Sequence, residues 1–394
     1  MQTKTMNPTT IPLPVLHEQS PPGSRGNGAA AALDGQPLQR KRSFPGDPFS
    51  PHKILNHVEK LQQIAQGQTV FPITVEIDPS NKCNHRCDWC VSIESHTGEK
   101  LDLDQFHELI AELKRARTRS IVIKGGGEPT LHPEFNEMVR AGSSEGLSVG
   151  LISNGTLPWA GSVEAVLECC EWVRISLDAA SSTTHRAIHG SGDFVKITDN
   201  IKALSRGAEA TLVGINFVAE PRNYQEILAF TQMARVFGAG YVSIRCVFDK
   251  QNPPSEGVRR SMRQQAAAAK ALEGDSFRVL LGNFTDDYLS GQEEREFPFQ
   301  KCLGPNLIGI VGADAEVYAC CFLRGNKQFS FGNLADEKFE EIWNGKRRKQ
   351  VMESVYRGEC GHVCMGGMTS SRYNTYNEIL NYLMEEEKQH ANFA

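Results

Sequence analysis

The sequence predicts an α/β fold built on a parallel sheet, and three observations lead there. From Phe71 onward, short apolar runs of strand length alternate with longer amphipathic stretches, and strands that pair in parallel need crossover connections, usually helical. A chain of 394 residues can bury a full core and still leave room for a smaller second domain. Its 40% hydrophobic and 23% charged content is that of a soluble globular chain. The formal charge of -5 gives no electrostatic footprint for nucleic acid. No apolar run is long enough for a membrane span, and the N-terminal residues lack the apolar core of a signal peptide. A cytoplasmic protein with neither nucleic acid nor membrane as partner is expected.

Residues 1–50 are rich in Pro, Gly, Ser and Gln with few large apolar side chains, a composition that cannot offset the entropy of ordering and predicts a disordered tail. The run Arg40-Lys41-Arg42 within it reads as solvated charge. In 51–68, Ile54, Leu55, Val58, Leu61 and Ile64 recur at helical spacing and predict an entry helix. The next unit, 69–250, has expected strands at 74–77, 120–124, 148–152, 172–177, 212–218 and 241–247, with helices at 103–115 and 224–237 among the crossovers. In such parallel arrangements the chemistry sits on loops at the C-terminal ends of the strands. Residues 251–296, with an Ala-rich stretch, read as a helical linker. Residues 297–375 read as a small domain with a hairpin of 307–311 and 316–318 around Gly312-Ala313-Asp314 and a helix over 338–352. A last helix is expected in 376–394.

The loop after the first expected strand reads Cys83-Asn84-His85-Arg86-Cys87-Asp88-Trp89-Cys90, a C-x3-C-x2-C spacing. Eleven cysteines, an odd number without a secretory signal, point to metal or free thiols rather than a disulfide framework. Zinc wants four ligands, usually two C-x2-C pairs, and no second pair lies near this loop. Three thiolates on one loop can hold three corners of a 4Fe-4S cluster and leave one iron open. With an aromatic residue before its last cysteine, this loop resembles the radical S-adenosylmethionine (SAM) superfamily.

That resemblance implies a partial (β/α)6 barrel in which Cys83, Cys87 and Cys90 hold the cluster and the methionine end of SAM chelates the open iron. Reductive cleavage then yields a 5'-deoxyadenosyl radical that takes a hydrogen atom from substrate. The cofactor carries the hard chemistry while the protein orients and shields it. A flavodoxin- or ferredoxin-type electron donor is implied too. Lys124-Gly125-Gly126-Gly127-Glu128-Pro129 resembles the family's GGEP motif, which assigns Gly126, Gly127 and Glu128 to the SAM amino group. Ser153 and Asn154 after the third strand, and Ser176 and Asp178 after the fourth, resemble its contacts to the SAM ribose and carboxylate. Ordinary turn capping is the competing reading for these short polar residues. Trp89 is placed beside adenine, and Gly214-Ile215-Asn216 loosely resembles an adenine-binding G-x-I pattern. The run His185-Arg186-Ala187-Ile188-His189-Gly190 departs from the family by carrying histidine where arginine is common, and His189 is given no catalytic role.

In the C-terminal part, Cys302, Cys320 with Cys321 beside it, and the pair Cys360 and Cys364 resemble the auxiliary-cluster extensions called twitch and SPASM domains. So do Phe331-Gly332-Asn333-Leu334 and Glu341-Ile342-Trp343-Asn344. Cys302, Cys320, Cys360 and Cys364 supply four ligands for one further 4Fe-4S cluster, with Cys321 the alternative to Cys320 and zinc the alternative metal. Cys246, at the end of the sixth strand, is a candidate hydrogen donor, and Arg245 beside it a candidate anion anchor. Strand alternation lets only one of them face the barrel lumen. The first expectation is oxidation of a secondary alcohol on a sugar, aminocyclitol or similar small molecule. The alternatives are epimerisation with Cys246 as donor, or maturation of a ribosomally made peptide.

Overall fold

Among the described residues the strands form one ten-stranded sheet; the computed structural model describes residues 47–246, 254–282, 284, 289, 299–361 and 370–384. The chain enters through a 3-10 turn, Pro51–His57, that runs into α1 (Val58–Ala65). Strands β1 (Thr74–Ile77), β2 (Ser120–Ile123), β3 (Ser148–Ser153), β4 (Cys170–Ser176), β5 (Leu212–Ala219) and β6 (Tyr241–Cys246) then pair in parallel, each with the next. Helix α2 (Leu103–Arg115) shows why the crossovers are helical. Asp102 caps it by accepting from Asp104 N at 2.9 Å and Gln105 N at 3.3 Å, and Lys114 and Arg115 sit at its negative end. Phe106, Leu109, Ile110 and Leu113 bury one stripe against the sheet. The other crossovers carry α3 (Phe135–Ser144), α4 (Ser162–Cys169), α5 (Ser182–His189), α6 (Phe194–Gly207) and α7 (Ile227–Val236). This is the expected partial α/β barrel.

The sheet is wider than six strands. The segment expected to be a helical linker supplies α8 (Glu256–Lys270) and also β7 (Arg278–Gly282), which pairs in parallel with β6. On the other side β8 (Ile308–Val311) pairs in parallel with β1, then continues through β9 (Glu316–Tyr318) and β10 (Ser330–Asn333) in antiparallel fashion. The hairpin foreseen at 307–318 thus extends the barrel sheet. The single helix expected over 338–352 is two, α9 (Phe339–Asn344) and α10 (Lys346–Tyr356), because Gly345 takes an extended conformation between them. Helix α11 (Ser370–Met384) packs on α1.

Register and alternation sort the barrel strands into two faces. Val149, Leu151, Val173, Ile175, Val213, Ile215, Phe217, Val242, Ile244 and Cys246 lie on the face that meets the helices, where Phe217 packs on Phe230 of α7 at 4.6 Å. The opposite, lumenal face carries Glu76, Trp172, Arg174, Ser176, Asn216, Tyr241, Ser243 and Arg245. Towards the start of the strands Phe49 fills this lumen, 5.4 Å from the Trp172 ring and 5.0 Å from Tyr241, with Arg174 over its face at 4.5 Å. Gly214 leaves the room that the Tyr241 ring occupies, since a Cβ there would overlap it. Packing at the base of the barrel therefore accounts for this glycine of the loose G-x-I pattern.

Candidate active site

The cysteine loop leaves β1 at the sheet's C-terminal edge and is held by backbone as much as by side chains. Gly127 N donates to Ser80 O at 3.1 Å and Glu128 N to Lys82 O at 2.8 Å, tying the loop after β2 to the start of the cysteine loop. A Cβ on Gly127 would lie 2.5 Å from Asn81 C and overlap the Lys82 carbonyl, so only glycine allows the approach. His96 Nε2 lies 2.9 Å from Gly126 O and 3.9 Å from Cys90 Sγ. On the far side Arg86 N donates to His189 O at 2.9 Å. Arg222 reaches Asp88 at 2.7 Å and Glu220 at 2.8 Å, fastening the loop to the end of β5.

Cys83, Cys87 and Cys90 are free and half-buried. Burial pushes the Cys83 thiol up to about 11, and Cys87 and Cys90 also upward. Cys87 is raised further by the Asp178 carboxylate and by its two fellow thiols. All three stand free on one half-buried loop, close enough for Cys83 and Cys87 to feel the charge of a neighbouring thiol, and cysteine thiolates are the ligands an iron-sulfur cluster takes. The donor set therefore fits a 4Fe-4S cluster held at three corners.

Glu128 is the hub of the next layer. Its side chain is buried, with Oε1 accepting from Thr130 N at 3.1 Å, Thr130 Oγ1 at 2.6 Å and Ser153 Oγ at 2.7 Å, and Oε2 accepting from Asn154 N at 2.7 Å. Burial pushes its carboxyl up, while these donors pull it down. Asn154 Nδ2 donates to Asn84 Oδ1 at 2.7 Å, joining the end of β3 to the cysteine loop. Glu128, Ser153 and Asn154 are thus brought together with the cysteine loop, but their side chains are spent largely on one another.

Ser176 ends β4 on the lumenal face, whereas Asp178 turns away from it. Asp178 takes a left-handed φ of 53°, accepts from Val218 N at 2.6 Å and lies 3.0 Å from His189 Nε2. His189 is buried, and its Nδ1 is 3.1 Å from Cys87 Sγ. Its ring stacks on His185 at 4.6 Å and meets His85 at 5.3 Å and Trp89 at 6.1 Å. His85 is held neutral, down to about 4, by burial and by the two neighbouring histidines. The sequence reading missed this group. Its signal was the four-residue spacing of His185 and His189, which puts both on one face of α5.

Arg245 keeps the lumenal face, while Cys246 lies on the helix side, fully buried in the core, where desolvation raises its thiol. The expectation of a Cys246 thiol at the barrel mouth is therefore corrected: strand alternation gave the lumen to its neighbour.

In the C-terminal part Cys302, Cys320 and Cys360 are half-buried and pack on the main core, while Cys364 lies outside the described residues. The adjacent Cys320 and Cys321 thiols are coupled, and their interaction pushes Cys320 up and Cys321 down. Cys320 feels Cys302, whereas Cys321 is buried and feels Lys124, Glu76 and Arg324. Arg324 ties this region to the barrel. It donates to Cys321 O at 2.7 Å, pairs with the buried Asp78 at the end of β1, and lies 3.9 Å from Glu76, which also pairs with Lys124 at 2.8 Å.

The comparisons agree with this geometry. Residues 77–233 match the radical SAM superfamily and residues 302–365 match SPASM, an iron-sulfur cluster-binding domain. The mycofactocin maturase MftC of Mycolicibacterium smegmatis is 27% identical over 333 residues, covering 80% of this chain and 82% of that protein. The PqqA peptide cyclase of Ruegeria pomeroyi is 25% identical over 285 residues, covering 69% and 74%. Among solved structures, Streptococcus suis SuiB bound to its precursor peptide SuiA shares the fold with a TM-score of 0.59 at 14% identity, over 79% of this chain and 74% of that one. The radical SAM match brings with it a 4Fe-4S cluster and SAM, and the SPASM match further auxiliary iron-sulfur clusters. This chain belongs to the radical SAM superfamily, as an iron-sulfur enzyme with a SPASM domain on the C-terminal side of its barrel.

Proposed function

We propose that this enzyme matures a ribosomally made peptide. The observation that carries the reading is the similarity, over about four fifths of both chains, to a mycofactocin maturase, supported by the PqqA peptide cyclase and by the fold shared with peptide-bound SuiB. It takes precedence over small-molecule alcohol oxidation, which rests on a resemblance to twitch enzymes with a single auxiliary cluster.

In this reading Cys83, Cys87 and Cys90 hold the SAM-binding cluster, and the auxiliary ligands are Cys302, Cys320, Cys360 and Cys364. Cys320 is preferred to Cys321 because it is the less buried of the two and feels the Cys302 thiol, whereas Cys321 is buried and feels Lys124, Glu76 and Arg324. When bound, the cluster and SAM together supply a radical able to take a hydrogen atom from an unactivated carbon. The chain's own residues set where that happens. The Gly126–Gly127 backbone and Ser176 border the SAM site, and Glu128, Ser153 and Asn154 brace it from behind. Trp89 lies beside the adenine, and Asp178 acts through His189. Arg245 and the Lys124–Glu76 pair present charge to the substrate from the lumen. Residues 69–250 form the radical-generating unit and 297–375 the auxiliary one, with a flavodoxin- or ferredoxin-type protein as electron donor.

The test is anaerobic reconstitution of the full chain with iron and sulfide, reduction, and incubation with SAM and, in parallel, synthetic peptides for every short open reading frame near its gene and a panel of sugars and aminocyclitols. Supporting results are 5'-deoxyadenosine formed in step with a mass change in the peptide, and loss of both in the Cys83→Ala, Cys87→Ala, Cys90→Ala variant. That variant should hold about four irons fewer than the parent. Peptide left unchanged while a sugar or aminocyclitol is oxidised would reverse the reading.

A further inference from the structure

We propose that His189 is a positioning residue for the SAM-binding cluster, donating an Nδ1–H hydrogen bond to the Cys87 sulfur that raises the cluster's reduction potential. The inference rests on the family assignment and is independent of the peptide reading.

The geometry fixes the ring from every side. Nδ1 is 3.1 Å from Cys87 Sγ, and Nε2 is 3.0 Å from Asp178 Oδ2. Once Cys87 is a ligand thiolate its sulfur can only accept, so Nδ1 is the donor in this contact, while Nε2 lies near Asp178 without forming a hydrogen bond. The backbone of the same residue accepts from Arg86 N at 2.9 Å, one position before Cys87. Gly190, with a left-handed φ of 61°, ends α5 against the loop, and a Cβ on it would sit 3.2 Å from Arg86 O. His185 stacks on one side of the ring at 4.6 Å. Asp178 is itself immobilised, taking an N–H from Val218 at 2.6 Å while its own carbonyl accepts from Asn223 Nδ2 at 2.9 Å. A buried donor aimed at a ligand sulfur, and polarised by a carboxylate behind it, is the outer-shell arrangement by which proteins tune metal centres.

The direction follows from charge. Reduction adds one electron to the cluster and its thiolates, so a fixed donor stabilises the reduced form more than the oxidised one; hydrogen bonds to the sulfurs are among the determinants of cluster potential. Charge-assisted hydrogen bonds are roughly twice as strong as neutral ones. Removing this one should shift the reduction equilibrium about tenfold towards the oxidised form, which for one electron is about 59 mV more negative.

The test uses the full chain, reconstituted anaerobically, with iron counted and the SAM-responsive EPR signal followed in a redox titration. His189→Ala should hold the parent's iron and titrate at lower potential. His189→Gln, which keeps a donor of similar reach, should lie nearer the parent, and Asp178→Asn, which keeps the volume but removes the polarising charge, should lie between. A role in packing alone would leave the potentials unchanged. Equal potentials in every variant that retains its iron overturn the proposal, and so does loss of the cluster in all three, which would make His189 a structural support of the loop.

Discussion

Replacing Gly127 with alanine should dislodge the cysteine loop without touching a cysteine. The new Cβ would lie 2.5 Å from Asn81 C and 2.6 Å from Lys82 C, whereas real Cβ contacts essentially never fall below 3.0 Å, so rigid backbone must retreat. That movement breaks the bonds from Gly127 N to Ser80 O and from Glu128 N to Lys82 O. Two hydrogen bonds at about 1 kcal/mol each, with about 1–3 kcal/mol of overpacking, give a cost of about 3–5 kcal/mol. Gly257 in α8 is the control. Nothing lies within 4 Å of a Cβ built there, and alanine in a helix is favoured over glycine by about 0.5–1 kcal/mol. The measurements are the urea midpoint of the apo chain and iron bound after reconstitution. Gly127→Ala should lower both, and Gly257→Ala should leave the iron unchanged and raise the midpoint slightly. If Gly127→Ala unfolds at the parent's midpoint and loads the same iron, the close approach is not what holds the loop.

Cys246→Ser places a hydroxyl in the apolar face between β6 and α7 and should cost about 1–3 kcal/mol, while reconstituted protein still forms 5'-deoxyadenosine at the parent's rate; a large loss of turnover in folded protein would restore a chemical role for the thiol. Arg324→Ala strands the buried Asp78 carboxylate and should cost about 3–5 kcal/mol by denaturant titration, against a far smaller loss for Arg357→Ala, whose partner Glu359 is exposed. Trp343→Ala empties a fully buried site between Phe331 and Phe339 and orphans the Val70 carbonyl that accepts from its indole at 2.7 Å; about 3–5 kcal/mol is expected, read from the same midpoint.

The parts of this enzyme that were legible in its sequence are those with local signals. The cysteine spacing, the glycine run after β2, and the alternation of apolar runs with amphipathic stretches placed β1 to β6 and the loops that matter. Non-local facts were not legible. β7 is a five-residue run beside an Ala-rich helix, and its membership of the sheet depends on β6, not on its own pattern. The pairing of β8 with β1 joins segments far apart in the chain. Alternation reduced Arg245 and Cys246 to two choices, and only the packing of Phe217 on α7 decides between them. Glu128 was read as a group for the SAM amino group; not legible was that four protein donors converge on it, two from Thr130 in its own turn and two from Ser153 and Asn154 at the end of β3. His189 was given no catalytic role because nothing local reveals that α5 ends against the cysteine loop.

The parallel pairing of β1 with β8 also sets an order of assembly. A nascent chain that has emerged only as far as β6 leaves one edge of β1 bare, with the cysteine loop hanging from it. Such an edge is a template for wrong pairing until Ile308–Val311 is synthesised and docks. Contacts of such long sequence separation form slowly. An exchange of extensions between relatives would therefore have to carry β8 with it or leave the barrel's first strand half paired.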